Sequence, residues 1–324
     1  MRPFGYVQAE HEEAAITILR RNPHARPVAG GTNLLDLMKL DVEQPDELVD
    51  VNTLPLGGID ATPRGVRIGA LARMADVAES PVVRERVPAV AEALLASASP
   101  QLRNMASIGG NLLQRTRCSY FRDAVCPCNK RQPGSGCSAI TGEHRLHAIL
   151  GGSEHCIATH PSDLAVALVA FDAEVVLHGP DGERRVPLTE FYLLPGATPE
   201  RENVLGQGEL VVAVEIADSP VATRSRYLKL RDRASFEFAL VSAAIGLDVH
   251  GGRVRGAGIA LGGVGTVPWR ARQAERVLLG HAPSPNLFAE AAEAELRHAA
   301  PRPQNAFKVK LARLAVVRAL EALA

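Results

Sequence analysis

Apolar residues recur at helical spacing over residues 10–21, where Ala14, Ala15, Ile18 and Leu19 make one face, and this predicts an amphipathic helix. A short strand over 26–29, a Gly30-Gly31 turn and a helix over 34–40, capped by Thr32 or Asn33, complete a first α/β unit. Residues 47–51 and 65–70 read as short strands, and 75–80 and 88–98 as helices. After a long interruption the pattern resumes with a helix over 163–170 and a strand over 173–178. Asp181-Gly182 then turns the chain into a second strand at 185–187. Ser219-Pro220, inside 218–223, separates two strand-like runs and marks a domain boundary. Beyond it lie a strand at 227–230, an apolar run over 238–249, a Gly251-Gly252 turn and a strand over 254–261. Helices over 271–279, 287–299 and 307–323 end the chain. The class predicted is α+β, with a second domain of about a hundred residues.

The interruption over 115–154 shows no sustained period, and irregular stretches of that length inside a domain are usually functional. All five cysteines of the chain fall between Cys118 and Cys156. Only Cys126-Pro127-Cys128 is close enough for a zinc knuckle, and the proline makes it a poor one. The two-residue gaps of ferredoxin-like runs are absent as well. Arg115, Arg117, Arg122, Lys130, Arg131 and Arg145 give the segment a positive excess that suits the negative charge of a cluster or of zinc bound by thiolates. Gly134-Ser135-Gly136 would let the main chain approach the sulfurs. An iron–sulfur cluster, zinc and free thiols all remain open on spacing and charge. His144, His147, His155 and His160 read as solvent-facing or hydrogen-bonded loop histidines, not as ligands.

Composition narrows the partners. Lysine plus arginine equals aspartate plus glutamate, at 36 each, so no general field favours nucleic acid or membrane. No apolar h-region follows the N-terminus, and no run of about 18 apolar residues exists to span a bilayer. The expectation is a protein made in the cytoplasm, where an odd number of cysteines argues against a disulfide framework. Two glycine loops stand out, Ala29-Gly30-Gly31-Thr32-Asn33-Leu34 and Ser107-Ile108-Gly109-Gly110-Asn111-Leu112. Successive amides without Cβ atoms suit phosphate oxygens, and two such loops suggest a pyrophosphate held between them. Neither loop fits a Walker or a GxGxxG pattern.

Together these stretches resemble the FAD-binding subunit of the molybdenum hydroxylases, the xanthine dehydrogenase and carbon monoxide dehydrogenase superfamily. The resemblance rests on the two glycine loops, Ser162-Asp163-Leu164, and Tyr227, Lys229, Arg231 and Arg233 in a Tyr-x-Lys-x-Arg-x-Arg pattern. It also rests on Leu261 to Val264 with Pro268 to Arg270. It implies a PCMH-type FAD-binding domain of two α/β subdomains over 1–218, then a CO-dehydrogenase-flavoprotein-like α+β domain over 223–324. The cysteine segment, an insertion at about 115–157, is similar to that of the bacterial periplasmic aldehyde oxidoreductase branch, whose FAD subunit carries a [4Fe–4S] cluster. Carried over by position, the cluster ligands are Cys118, Cys128, Cys137 and Cys156, and Cys126 is spare. Hydroxybenzoyl-CoA reductase and xanthine dehydrogenase flavoproteins are the runner-up, and a zinc-stapled nucleotide-binding protein without redox role is the alternative from another class.

The resemblance further implies an electron-transfer subunit of a heterotrimer. Its partners would be a small subunit with two [2Fe–2S] clusters, a large molybdopterin subunit and an external electron acceptor. The implied FAD-binding residues are Arg26, Pro27, Val28, Ala29, Gly30, Gly31, Thr32, Asn33, Leu34, Ser107, Gly110, Asn111, Asp163 and Lys229. Asp163 would bind a ribose or ring edge and Lys229 would sit near the flavin's N1/O2 side. On the residues alone, Asp163 reads as a helix cap and Lys229 as a solvated strand lysine. Arg73 follows Ile68-Gly69-Ala70 where many relatives place a threonine, which puts a flavin contact there in doubt. The compartment is either the periplasm, by co-export with a partner subunit, or the cytoplasm.

Overall fold

Twelve short strands assemble into three sheets in a computed structural model that describes all residues, Met1–Ala324. The first sheet is parallel, with β1 (Gly5–Gln8), β2 (Ala25–Val28) and β3 (Glu47–Asp50) in the order β1-β3-β2. β1 has no apolar stripe of its own, which is why the hydrophobic pattern passes over it. Helix Glu12–Arg21 packs here with Ala15, Ile16 and Leu19 buried, and His11 caps it by accepting from the Ala14 amide.

The second sheet is antiparallel. It comprises β4 (Ile59–Thr62), β5 (Gly65–Gly69), β6 (Glu174–Gly179), β7 (Gly182–Pro187) and β8 (Leu210–Ala217), in the order β4-β5-β8-β6-β7. Val212 and Leu210 on one side of β8 join the core beneath the first sheet. Val211 and Val214 join a core of 39 buried residues that also holds helices Pro88–Ala96 and Asp163–Ala170. All eight residues of helix Asp163–Ala170 are buried, as expected for a helix apolar nearly all round.

The third sheet, β9 (Ser225–Leu230), β10 (Val241–His250), β11 (Arg253–Gly262) and β12 (Trp269–Arg270), is antiparallel in the order β12-β11-β10-β9. Helices Arg272–Leu278, Pro285–Leu296 and Phe307–Glu321 cover it and share its 23-residue core. Tyr227, Ala244 and Ala260 point the other way, into the large core of the preceding domain. The apolar run expected from 238 becomes strand only at Val241, because residues 231–240 form a loop over the domain junction. Between Leu113 and Ser162 the chain is mostly irregular, with one-turn helices at Ser119–Arg122 and Ser138–Thr141. No helix is long and apolar enough to cross a membrane.

Candidate functional site

The first glycine loop leaves the C-terminal end of β2, the edge of a parallel sheet where α/β folds bind ligands. A Cβ on Gly30 would stand 1.9 Å from the Met105 carbonyl, so only glycine lets the two loops meet. Gly31 has φ +67, the left-handed region that costs other residues about 1–2 kcal/mol. The amides of Gly30, Gly31, Thr32 and Asn33 have no acceptor within the protein. Asn33 does not cap the helix Leu34–Lys39 as expected. Its Oδ1 accepts from the Arg115 amide at 3.0 Å, and its buried Nδ2 has no partner. Arg73 braces the same junction, donating to the Met105 carbonyl at 2.6 Å and to Asn52 Oδ1 at 2.8 Å.

The second loop differs. The Gly109 amide donates to the Ala70 carbonyl, Gly110 to Ser107 Oγ and Asn111 to the Ser107 carbonyl. Ser107 is thus the N-cap of helix Ile108–Leu112. Asn111 is buried, with its Oδ1 accepting from Ser162 Oγ at 2.5 Å. The expected second row of free amides is therefore spent inside the protein.

Thr32, Asn33, Gly110, Asn111, Asp163 and Lys229 line one cavity of about 480 Å³, within the range of cofactor sites. It adjoins a second of about 610 Å³, and the two share Arg117, Pro161, Asp163, Glu237 and Phe238. The remaining expected residues are not among its lining. Arg26 turns away to the Pro23 and Ala25 carbonyls, Val28 is buried against Met38 and Leu48, and Pro27, Ala29, Gly30, Gly31, Leu34 and Ser107 are not in its lining.

At the junction of the two cavities, Ser162 caps helix Asp163–Ala170, which frees Asp163 from that role. Asp163 Oδ1 accepts from the Tyr227 hydroxyl at 2.5 Å, and Oδ2 accepts from Ser97 at 2.9 Å and Lys229 at 2.8 Å. Lys229 also donates to the Ala96 carbonyl, and its side chain is 4% exposed, so it is no solvated lysine. Burial and the Asp163 charge push the Tyr227 hydroxyl well above its ordinary range, which keeps it a donor. The ion pair joins the two domains, and a buried pair costs about 3–5 kcal/mol when one partner is removed.

Four cysteines, Cys118, Cys128, Cys137 and Cys156, line one small enclosed cavity, and Cys126 is not among its walls. Cys126 instead lies beside Asp123 Oδ2. Cys128 and Cys137 face each other across an antiparallel bridge, and Asn129 ties the loop between them through both its amide and its side chain to Gly136. A Cβ at Gly134 or Gly136 would meet no protein atom. These glycines serve their φ of +83 and +98, and not the close approach of main chain to sulfur expected from the sequence. Asn129 Nδ2 also donates to the His155 carbonyl, which brings Cys156 to the same cavity. Burial pushes the Cys118 thiol up to about 12 and raises Cys156. Metal ligation at this site would therefore have to displace the thiol protons. No three cysteine, histidine or acidic side chains converge closely enough to hold one metal ion.

Of the local positive excess, Lys130 lines the cysteine cavity, and most of the rest is spent on carboxylates and carbonyls. Arg115 pairs with Glu43 and Glu202, Lys130 with Glu202, and Arg117 and Arg122 with Asp36. Arg131 serves carbonyls of residues 120, 121, 124 and 126, and Arg145 pairs with Asp232. Carboxylates distant in sequence neutralise a charge run that looked free. The rings of His144, His147 and His160 are hydrogen-bonded, one of the two alternatives the sequence offered. His144 and His147 are buried, and His147 Nε2 lies 3.2 Å from Cys118 Sγ. Arg117 was missed as a cavity residue; its buried Nε has no partner and its guanidinium lies over the Phe238 ring. Its place beside Cys118 was the available signal.

Known proteins fall in line with this geometry. Residues 2–218 match the model of the FAD binding domain in molybdopterin dehydrogenase, and residues 226–323 that of the CO dehydrogenase flavoprotein C-terminal domain. The chain is 48% identical over 318 residues to the aldehyde oxidoreductase FAD-binding subunit PaoB of Escherichia coli, covering 97% of this chain and 96% of that protein. It is 30% identical over 280 residues to the glyceraldehyde dehydrogenase medium chain of Sulfolobus acidocaldarius, covering 86% and 81%. A structure of carbon monoxide dehydrogenase from Hydrogenophaga pseudoflava, lacking the Mo-pyranopterin moiety, superposes with a TM-score of 0.78 at 28% identity, covering 99% of this chain and 97% of that one.

Proposed function

Because the chain belongs to the family of FAD-binding domains in molybdopterin dehydrogenases, we propose that it is the FAD- and [4Fe–4S]-containing electron-transfer subunit of a molybdenum-dependent aldehyde oxidoreductase. The observation that carries the cluster is the placing of four of five cysteines around one cavity, next to the cavities at the domain junction. A single zinc ion needs its sulfurs about 2.3 Å from one point. Thiols spaced around a cavity suit a larger group. The aldehyde substrate class follows the likeness to the Escherichia coli subunit over nearly the full length of both chains.

The residues fit a flavin dinucleotide. The free amides of residues 30–33, the unpartnered Asn33 Nδ2 and the unpartnered Arg117 Nε offer donors to phosphate oxygens. Bound FAD supplies the exchange of electrons between the iron–sulfur and molybdenum partners and an external acceptor. Lys229 lines the flavin-sized cavity, fixed by its bonds to Asp163 and the Ala96 carbonyl, and would sit near the flavin's N1/O2 side. Tyr227 and Ser97 hold Asp163 in place with no proton transferred. The partners are a small subunit with two [2Fe–2S] clusters and a large molybdopterin subunit in a heterotrimer. A twin-arginine signal on a partner would carry the folded assembly to the periplasm.

Absorbance and iron analysis test this reading. The purified protein should show flavin bands at about 450 nm over a broad iron–sulfur shoulder. Cys137→Ser should lose the [4Fe–4S] signal while Cys126→Ser keeps it. A colourless folded preparation, or unchanged iron in Cys137→Ser, would overturn it.

A further inference from the structure

We propose that His147 donates its Nε2–H to the Cys118 sulfur and thereby raises the potential of the cluster that the four cysteines would hold; this rests on the cluster reading above. His147 is 5% exposed, with Nε2 at 3.2 Å from Cys118 Sγ. A metal-bound thiolate only accepts, so the nitrogen that faces it must carry the ring proton. The other nitrogen agrees. Nδ1 is buried and has no partner, and an N–H left there would be an unsatisfied donor. One ring nitrogen thus bonds the sulfur, and the other is left as a buried lone pair.

The backbone that carries the ring is held in place from the C-terminal domain. Lys308 and Asn305, both fully buried, donate to the His147 carbonyl at 3.1 and 3.2 Å. Lys308 also binds the Leu146 and Gly263 carbonyls, and the His147 amide donates to the His144 carbonyl. His147 is therefore a positioning residue fixed by two domains. Its place is selective as well. Cys118 alone of the four cysteines also lines the 610 Å³ cavity that holds Asp163. One-electron reduction adds negative charge to the cluster sulfurs with no proton moved. A donor on one sulfur favours that state, and the potential rises.

The test is an EPR-monitored dithionite titration, with redox mediators, of the purified complex carrying wild-type, His147→Leu or His147→Gln chains. Iron, sulfide and flavin contents are measured on each. His147→Leu should keep its iron and shift the cluster midpoint to lower potential, with the flavin midpoint unmoved. His147→Gln, whose amide can donate to the same sulfur, should return most of that shift. Loss of iron in His147→Leu with wild-type iron and midpoint in His147→Gln would equally support the donor role. An unshifted midpoint in His147→Leu overturns the inference, as does equal loss of iron or an equal shift in both variants. A wild-type complex without the [4Fe–4S] signal removes the cluster reading itself, and this inference with it.

Discussion

The two glycine loops read alike and are built for different work. In the first, four successive amides at 30–33 have no protein acceptor, and Gly30 is glycine because the Met105 carbonyl lies where a Cβ would be. In the second, the amides of Gly109, Gly110 and Asn111 are all taken, and Ser107 spends its hydroxyl on a helix cap. A Gly-Gly-polar pattern therefore marks a tight turn. What the turn does depends on whether its amides find partners in the fold. The first loop leaves its donors unspent, free for the flavin proposed above, while the second spends its own within the fold.

The contrast breaks most sharply at Gly30. Gly30→Ala forces the two loops apart and should weaken FAD binding at least ~100-fold, about 2.7 kcal/mol, by flavin fluorescence titration. Gly31→Ala clashes only with the Leu35 side chain, at 2.7 Å, which can shift, but pays for φ +67, and should cost ~10-fold in the same titration. Ser107→Ala should lower unfolding stability by about 1 kcal/mol through the lost cap, with FAD affinity within ~3-fold of wild type. Gly110→Ala should change little. Its Cβ would meet only Ser107 Oγ at 3.0 Å, and alanine favours the helix by up to about 1 kcal/mol. A Gly110→Ala defect as large as that of Gly30→Ala would erase the distinction.

Much of this was legible in the chain. Periodicity placed helices Glu12–Arg21 and Phe307–Glu321, each with its own apolar face, and continuous apolar runs marked β10 and β11. β1 and β4 were missed because both are largely exposed, and β8 was read only as a strand-like run before Ser219, without bounds. Crowding singled out the cysteines, and the structure brings the four named residues to one cavity. The roles of Asp163 and Lys229 were not readable from local pattern, since each is defined by a partner 66 positions away. The arginines failed for the same reason. Asp36, Glu43 and Glu202 neutralise them across long stretches of chain.

Hydrogen exchange resolved by mass spectrometry, on flavin-depleted and FAD-replenished protein, tests the account most directly. FAD should slow exchange at the amides of residues 30–33, which have no acceptor of their own, and leave 109–111 as slow as before. New protection at 109–111 with none at 30–33 would contradict it.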